Sequence, residues 1–139
     1  MTGNQTFTMI KPTAFKAGIN GSILSMIEKA GFRIRAMKTV LLTAGEAARF
    51  YAVHHERPFY KDLVAYMSSG PVIAAILEKE NAVEDFRKLI GSTDPARAEA
   101  GTVRNLFGKN VQENAVHGSD SDRNAVTEAG FFFSELERI

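Results

Sequence analysis

The run Asn114-Ala115-Val116-His117-Gly118-Ser119-Asp120-Ser121 puts one imidazole among small and polar residues, where a core histidine is not expected. Val116 suits the end of a strand and Gly118 gives a tight exit from it. Ser119, Asp120 and Ser121 offer caps for a following helix. A histidine held this way can face a cleft, with hydroxyl and carboxylate groups near enough to orient it. Its neutral ring is a nucleophile near pH 7. Three cations stand where a phosphate could be gripped. Lys11 follows a strand directly and precedes Pro12; Arg87 lies on a helix ahead of Gly91, and Arg104 ends Gly101-Thr102-Val103-Arg104, with Thr93 in the loop between. Guanidiniums hold phosphate oxygens through planar, multi-donor contacts, and a lysine adds compact charge. Side chains must do this work, since neither G-x-x-x-x-G-K-[ST] nor a G-x-G-x-x-G after a strand occurs.

Other polar residues read more plainly. Arg33, Arg35 and Arg97 read as surface residues, as most arginines are. Phe59, after Arg57-Pro58, is either a core residue or an aromatic shelf for a base. Tyr51 reads as a packing residue on a helix face with a wet hydroxyl. His54 and His55 are adjacent, so they point to different helix faces and make a poor metal pair.

The elements that must position these groups follow from periodicity. Gln5 to Ile10 alternates as a short strand that Pro12 stops. Ile19, Ile23, Ile27 and Ala30 mark a helix ended by Gly31. Phe32 to Leu42 is a second strand, with Phe32, Ile34, Ala36 and Lys38 on one side. Thr43 caps a helix through about His55, with Glu46 completing a capping box. Arg57-Pro58-Phe59 breaks that helix, a short amphipathic helix follows to Met67, and Ser69-Gly70-Pro71 is a turn. Val72 to Leu77 is apolar throughout and reads as a strand covered on both faces. Ala82, Val83, Phe86, Leu89 and Ile90 mark a helix ended by Gly91. From Ser92 to Glu113 the chain reads as a loop with short helical pieces, and a segment so long is usually functional. A last strand leads into His117, and a helix runs from about Ser121 to Ala129. This order is the α+β, ferredoxin-like βαββαβ pattern with an extra helical pair after the second strand. It predicts a four-stranded antiparallel sheet covered by helices on one face.

At 139 residues the chain is read as one domain, 1–139, with room for a core. A net charge of +1 excludes a partner chosen by bulk charge, so no nucleic acid is required. No apolar run approaches the roughly 20 residues that span a bilayer. Without cysteine there is neither a disulfide framework nor a thiolate metal site. Met1 to Gln5 lacks the character of a secretory signal, and the expected location is cytoplasmic.

Thr8-Met9-Ile10-Lys11-Pro12, Arg57-Pro58-Phe59, Met67-Ser68-Ser69-Gly70-Pro71-Val72, Gly91-Ser92-Thr93-Asp94-Pro95, Gly101-Thr102-Val103-Arg104 and the His117 run, taken in order and spacing, resemble the nucleoside diphosphate kinases over almost the whole chain. The resemblance implies transfer of the γ-phosphoryl group of a nucleoside triphosphate to a nucleoside diphosphate. The transfer is ping-pong through a phosphohistidine at Nδ1 of His117, and many bases are accepted. It implies that Glu128 orients the histidine and that Ser119 bonds near the ring. Lys11, Tyr51, Arg87, Thr93, Arg104 and Asn114 would hold phosphates and the ribose 3′-hydroxyl. Phe59 and Val111 would sandwich the base, with Leu63 nearby. Mg²⁺ would arrive on the nucleotide phosphates and meet Asp120 through water, with no direct protein ligand.

Departures from the family pattern are Lys79 where glycine is frequent, Asp94 where asparagine is frequent, and Asn105-Leu106 in place of a small or acidic pair. A chain stopping at Ile139 has a shorter C-terminus than many relatives, and that segment often joins subunits. The loop around Pro95 resembles one that meets at a threefold axis, so a hexamer is expected before a tetramer. Two other readings compete. A non-catalytic, nucleotide-binding or regulatory member would have lost a catalytic side chain, yet His117, Lys11, Arg87, Arg104 and Asn114 are all present. A phosphohistidine relay charged by another protein would need neither a base shelf nor two phosphate-gripping arginines.

Overall fold

The computed structural model describes residues 3–139. The part of the N-terminal reading that rests on Met1 and Thr2 lies outside the described residues. The strands are β1 (Gln5–Ile10), β2 (Arg33–Val40), β3 (Val72–Glu78) and β4 (Val116–Gly118). The helices are α1 (Pro12–Lys16), α2 (Asn20–Lys29), α3 (Ala44–Phe50), α4 (Tyr60–Met67), α5 (Ala82–Ile90), α6 (Val103–Phe107) and α7 (Asp122–Phe132). The sheet runs β2-β3-β1-β4, and every pairing is antiparallel. This is the expected ferredoxin-like order.

The expected one-sided cover needs correction, because both faces of the sheet are buried. Phe7, Met9, Ala74 and Ile76 point into a core closed by Ala47, Leu63, Met67 and Phe132, from α3, α4 and α7. Ile10, Ile73, Ala75 and Leu77 point the other way, against Ile23, Ile27, Phe86 and Ile90 of α2 and α5. The unbroken apolar run of β3 is what such two-sided burial requires. A register shift between Ile34 and Ala36 breaks the simple alternation expected of β2. Phe32 and Ile34 therefore face the second core, while Ala36 joins the first.

Local chemistry explains the ends of several elements. Pro12 does not only stop β1; it opens α1, where a proline's missing N–H leaves no bond unmade. The Thr43–Glu46 capping box is formed in both directions. α3 ends at Phe50 and continues only as a short 3-10 turn over Ala52–His54. Ser121 caps α7 through the amide of Asn124 at 3.0 Å, and α7 runs three residues past Ala129. The expected short helical pieces of the long loop are α6 and a 3-10 turn over Pro95–Arg97.

Candidate active site

Strand pairing places His117 opposite Met9 in β4, at the outer edge of the sheet. The strand's alternation sends Val116 into the second core and turns the imidazole toward the first. Three aromatic rings stand around it: Phe7 at 6.0 Å, Phe50 at 5.6 Å and Tyr51 at 6.3 Å between centroids. α7 packs on the same face, so Glu128 reaches the ring. Its Oε1 lies 2.8 Å from Nε2 of His117 and accepts a 2.7 Å hydrogen bond from the Ser119 hydroxyl. A carboxylate only accepts, so Nε2 carries the proton in this pair. In the neutral ring the lone pair is then on Nδ1. Ser119 is itself fully buried and accepts from the Phe7 amide at 3.3 Å. Glu128 is thus a fixed part of the site and not a solvated helix carboxylate.

The approach to His117 is built on a strained turn. Ala115 has φ 76°, and the Val116 amide donates back to the Asn114 carbonyl at 3.0 Å. A single residue bridged this way is a γ-turn of the rare positive-φ kind. The turn exposes carbonyls that fasten both flanks of the site. The Lys11 amide donates to Ala115 at 2.8 Å, and Arg104 donates to the Val116 carbonyl at 2.9 Å and to that of Gly91 at 3.1 Å.

Lys11 and Arg104 are both buried, and among the described residues neither has an acidic partner within ion-pair distance. Among the described residues the Lys11 ammonium reaches only the Gln112 carbonyl, at 3.3 Å. Burial, with the Arg104 charge second, lowers the Lys11 pKa to about 7. Burial, with Arg87 second, lowers that of Arg104 to about 10. Arg87, Thr93 and Arg104 line one cleft of about 530 Å³ with Thr102 and Gly118. His117, Lys11, Tyr51 and Asn114 do not line this cleft, which lies on the α5–α6 side of the sheet edge. Arg97, read as a surface residue, stands on the rim of the same cleft.

Three of these residues keep buried polar atoms without a protein partner: the Tyr51 hydroxyl, Nε of Arg104 and Oδ1 of Asn114. Buried polar groups are normally satisfied, so each of these atoms can take a polar ligand; among the described residues Thr6, Asn20 and Arg138 hold such an atom too. The wet hydroxyl expected of Tyr51 is a correction: it is buried, and burial, with the Glu128 charge second, pushes its pKa up. Asn114 donates to the carbonyls of Thr93 at 3.1 Å and Val111 at 2.9 Å, which leaves Oδ1 for something else.

Phe59 immediately precedes α4 and is 45% exposed, with the His54 ring 5.4 Å away. Val111 is 58% exposed, and Leu63 is buried on α4. Asp120 is an exposed carboxylate held by Asn124 at the start of α7. A lone carboxylate suits an ion that keeps its waters and brings its own phosphate ligands. Arg33 and Arg35 pair with Glu78, in keeping with the surface reading. Sequence reasoning missed Phe7 and Phe50 around the imidazole. Nothing in a one-dimensional pattern marks which core rings will meet β4.

Residues 4–138 match the family profile described as Nucleoside diphosphate kinase. The chain belongs to the nucleoside diphosphate kinase family. A relative of that name from Flavobacterium psychrophilum is 56% identical over 139 residues, which is 100% of both chains. The crystal structure of the Aquifex aeolicus nucleoside diphosphate kinase superposes with a TM-score of 0.96 at 42% identity, covering 98% of this chain and 99% of that one. A halophilic nucleoside diphosphate kinase from Halobacterium salinarum, solved in complex with CDP, gives a TM-score of 0.94 at 32% identity, covering 99% and 92%. As a nucleoside diphosphate kinase the chain is an enzyme, a phosphotransferase of nucleotide metabolism. Among the described residues of this family member, no helix is long and apolar enough to cross a membrane.

Proposed function

We propose that this kinase works by a ping-pong shuttle through a phosphohistidine at His117. The observation that carries the reading is the Glu128–Nε2 contact, which leaves Nδ1 as the nucleophilic atom. In the first half-reaction Nδ1 attacks the γ-phosphorus of a nucleoside triphosphate. The N–P bond forms, the bond to the β-phosphate oxygen breaks, and its electron pair leaves on the diphosphate. A second diphosphate then attacks the phosphohistidine, and the N–P electron pair returns to Nδ1. The Nε2 proton stays against Glu128 throughout, so the ring needs no other base.

The remaining groups bind and position. Lys11, Arg87 and Arg104 meet phosphate oxygens, and an anion between Lys11 and Arg104 compensates two charges that are otherwise buried together. Thr93, the Tyr51 hydroxyl and Oδ1 of Asn114 take phosphate and ribose contacts. Phe59 and Val111 hold the base, with Leu63 behind them. Stacking does not discriminate among bases, which supports wide nucleotide tolerance. Mg²⁺ bound to the nucleotide supplies charge neutralisation at the phosphate oxygens, and Asp120 is the carboxylate that would meet its waters. The enzyme acts in the cytoplasm as a homo-oligomer, a hexamer before a tetramer. Apolar Leu41, Leu136 and Ile139 stay exposed near the outer edge of β2, which the C-terminal segment meets at Arg35; this supports self-association.

Initial-rate kinetics with two nucleotides test the mechanism. Parallel double-reciprocal lines are expected, together with complete loss of transfer in a folded His117→Ala variant. Intersecting lines, or activity retained by that variant, would overturn it.

A further inference from the structure

Away from the phosphates, three segments meet through one short chain of hydrogen bonds. The Thr13 hydroxyl, in the first turn of α1, donates to Oε1 of Glu113 at 2.6 Å. The Tyr66 hydroxyl, near the end of α4, donates to the Thr13 oxygen at 2.9 Å. It also accepts from the Thr13 amide at 3.1 Å, one of the amides that α1 itself cannot pair. Every donor and acceptor in this relay is used once in the right sense.

The relay joins the two segments that carry the exposed apolar residues Phe59 and Val111. Phe59 directly precedes α4. Val111 sits in a loop that is rigid by itself: Lys109 donates to the Glu113 carbonyl at 2.8 Å, and Oδ1 of Asn110 accepts from the amides of Gln112 and Glu113 at 3.1 and 2.8 Å. A rigid loop moves as one body. Asn114 and Lys11 hold it on the phosphate side, through the Val111 and Gln112 carbonyls; the Glu113 side chain is its tie toward α4. The phosphate side has further fastenings that do not involve this loop, through Ala115, Gly91, Val116 and Thr93, so breaking the relay leaves those in place. We infer that Thr13, Tyr66 and Glu113 are positioning residues that fix the width of the base slot without touching the reacting atoms. The inference rests on the phosphotransfer reading above.

The test is calorimetric binding of ADP and of inorganic tripolyphosphate, with single-turnover transfer from saturating ATP. The variants are Thr13→Val, Thr13→Ser, Tyr66→Phe, Glu113→Ala and Glu113→Gln. Val, Phe and Ala break the relay, and each is expected to weaken ADP about fivefold, the effect of one lost hydrogen bond. Transfer from saturating ATP and tripolyphosphate affinity should stay within about twofold of the wild type. Thr13→Ser and Glu113→Gln keep the bonding atoms and are expected to restore ADP affinity. Combining Thr13→Val with Tyr66→Phe should cost less than the sum of both. Unchanged ADP affinity in the breaking variants, or equal damage in the conservative ones, would overturn the inference while leaving the kinase mechanism standing. Wild-type protein that transfers no phosphoryl group would overturn both.

Discussion

A buried ammonium beside a buried guanidinium destabilises a fold unless an anion comes between them, and this gives Lys11 a measurable signature. With its pKa near 7, Lys11 is largely neutral at pH 8 in the free protein, whereas the unfolded chain stays protonated to about 10.5. Between those values the folded state binds fewer protons than the unfolded one, so the contribution of Lys11 to stability rises with pH across that window. A phosphate beside the amine favours the charged form and raises its pKa. ADP binding at pH 8 should therefore take up to about one proton per site, and affinity should fall as pH climbs above 7. Calorimetry in two buffers of different ionisation enthalpy measures this directly. Lys11→Met should bind more weakly and take up no proton; uptake unchanged in that variant would assign it elsewhere.

At the scale of elements, the turn after α5 decides whether the cleft keeps its shape. Gly91 has φ 87°, and a Cβ there would lie 2.5 Å from Oγ1 of Thr102 and 3.1 Å from Cβ of Ala98. Thr102 cannot yield, because its hydroxyl donates to the Glu99 carbonyl and accepts from the Asn105 amide to start α6. Gly91→Ala should destabilise the fold by about 1–3 kcal/mol. It should also weaken nucleotide binding through the carbonyl that holds Arg104. An unchanged urea midpoint would contradict this. Several helix starts and the order of elements along the chain were legible in the sequence because caps, glycines and apolar periods are local signals; the ends of α3 and α7 were not. The capping box at Thr43 and the apolar run of β3 are examples. Others depended on partners distant in sequence. α1 lay behind a proline that reads equally as a stop, and the β2 register shift is fixed by pairing with β3. The γ-turn at Ala115 has no glycine to announce it. The candidate site was legible as a set of residues through family resemblance. Its geometry was not, since Glu128 approaches His117 only because α7 packs on the face where a one-sided sheet would have no helix.

At the scale of the molecule, the sheet carries cores on both faces and the candidate site on its outer edge, between α7 on one side and α5 with α6 on the other. Sedimentation should find six chains per particle. A monomer at micromolar concentration would contradict the assembly, and four chains would favour the second choice. The covalent shuttle through His117 is open to a pulse and chase. Purified protein would be incubated with γ-labelled ATP and Mg²⁺, freed of nucleotide, and then given unlabelled GDP. Acid-labile, base-stable label is expected on His117 and should move entirely to GTP. Label absent from folded protein, or bound but not released to GDP, would contradict the shuttle.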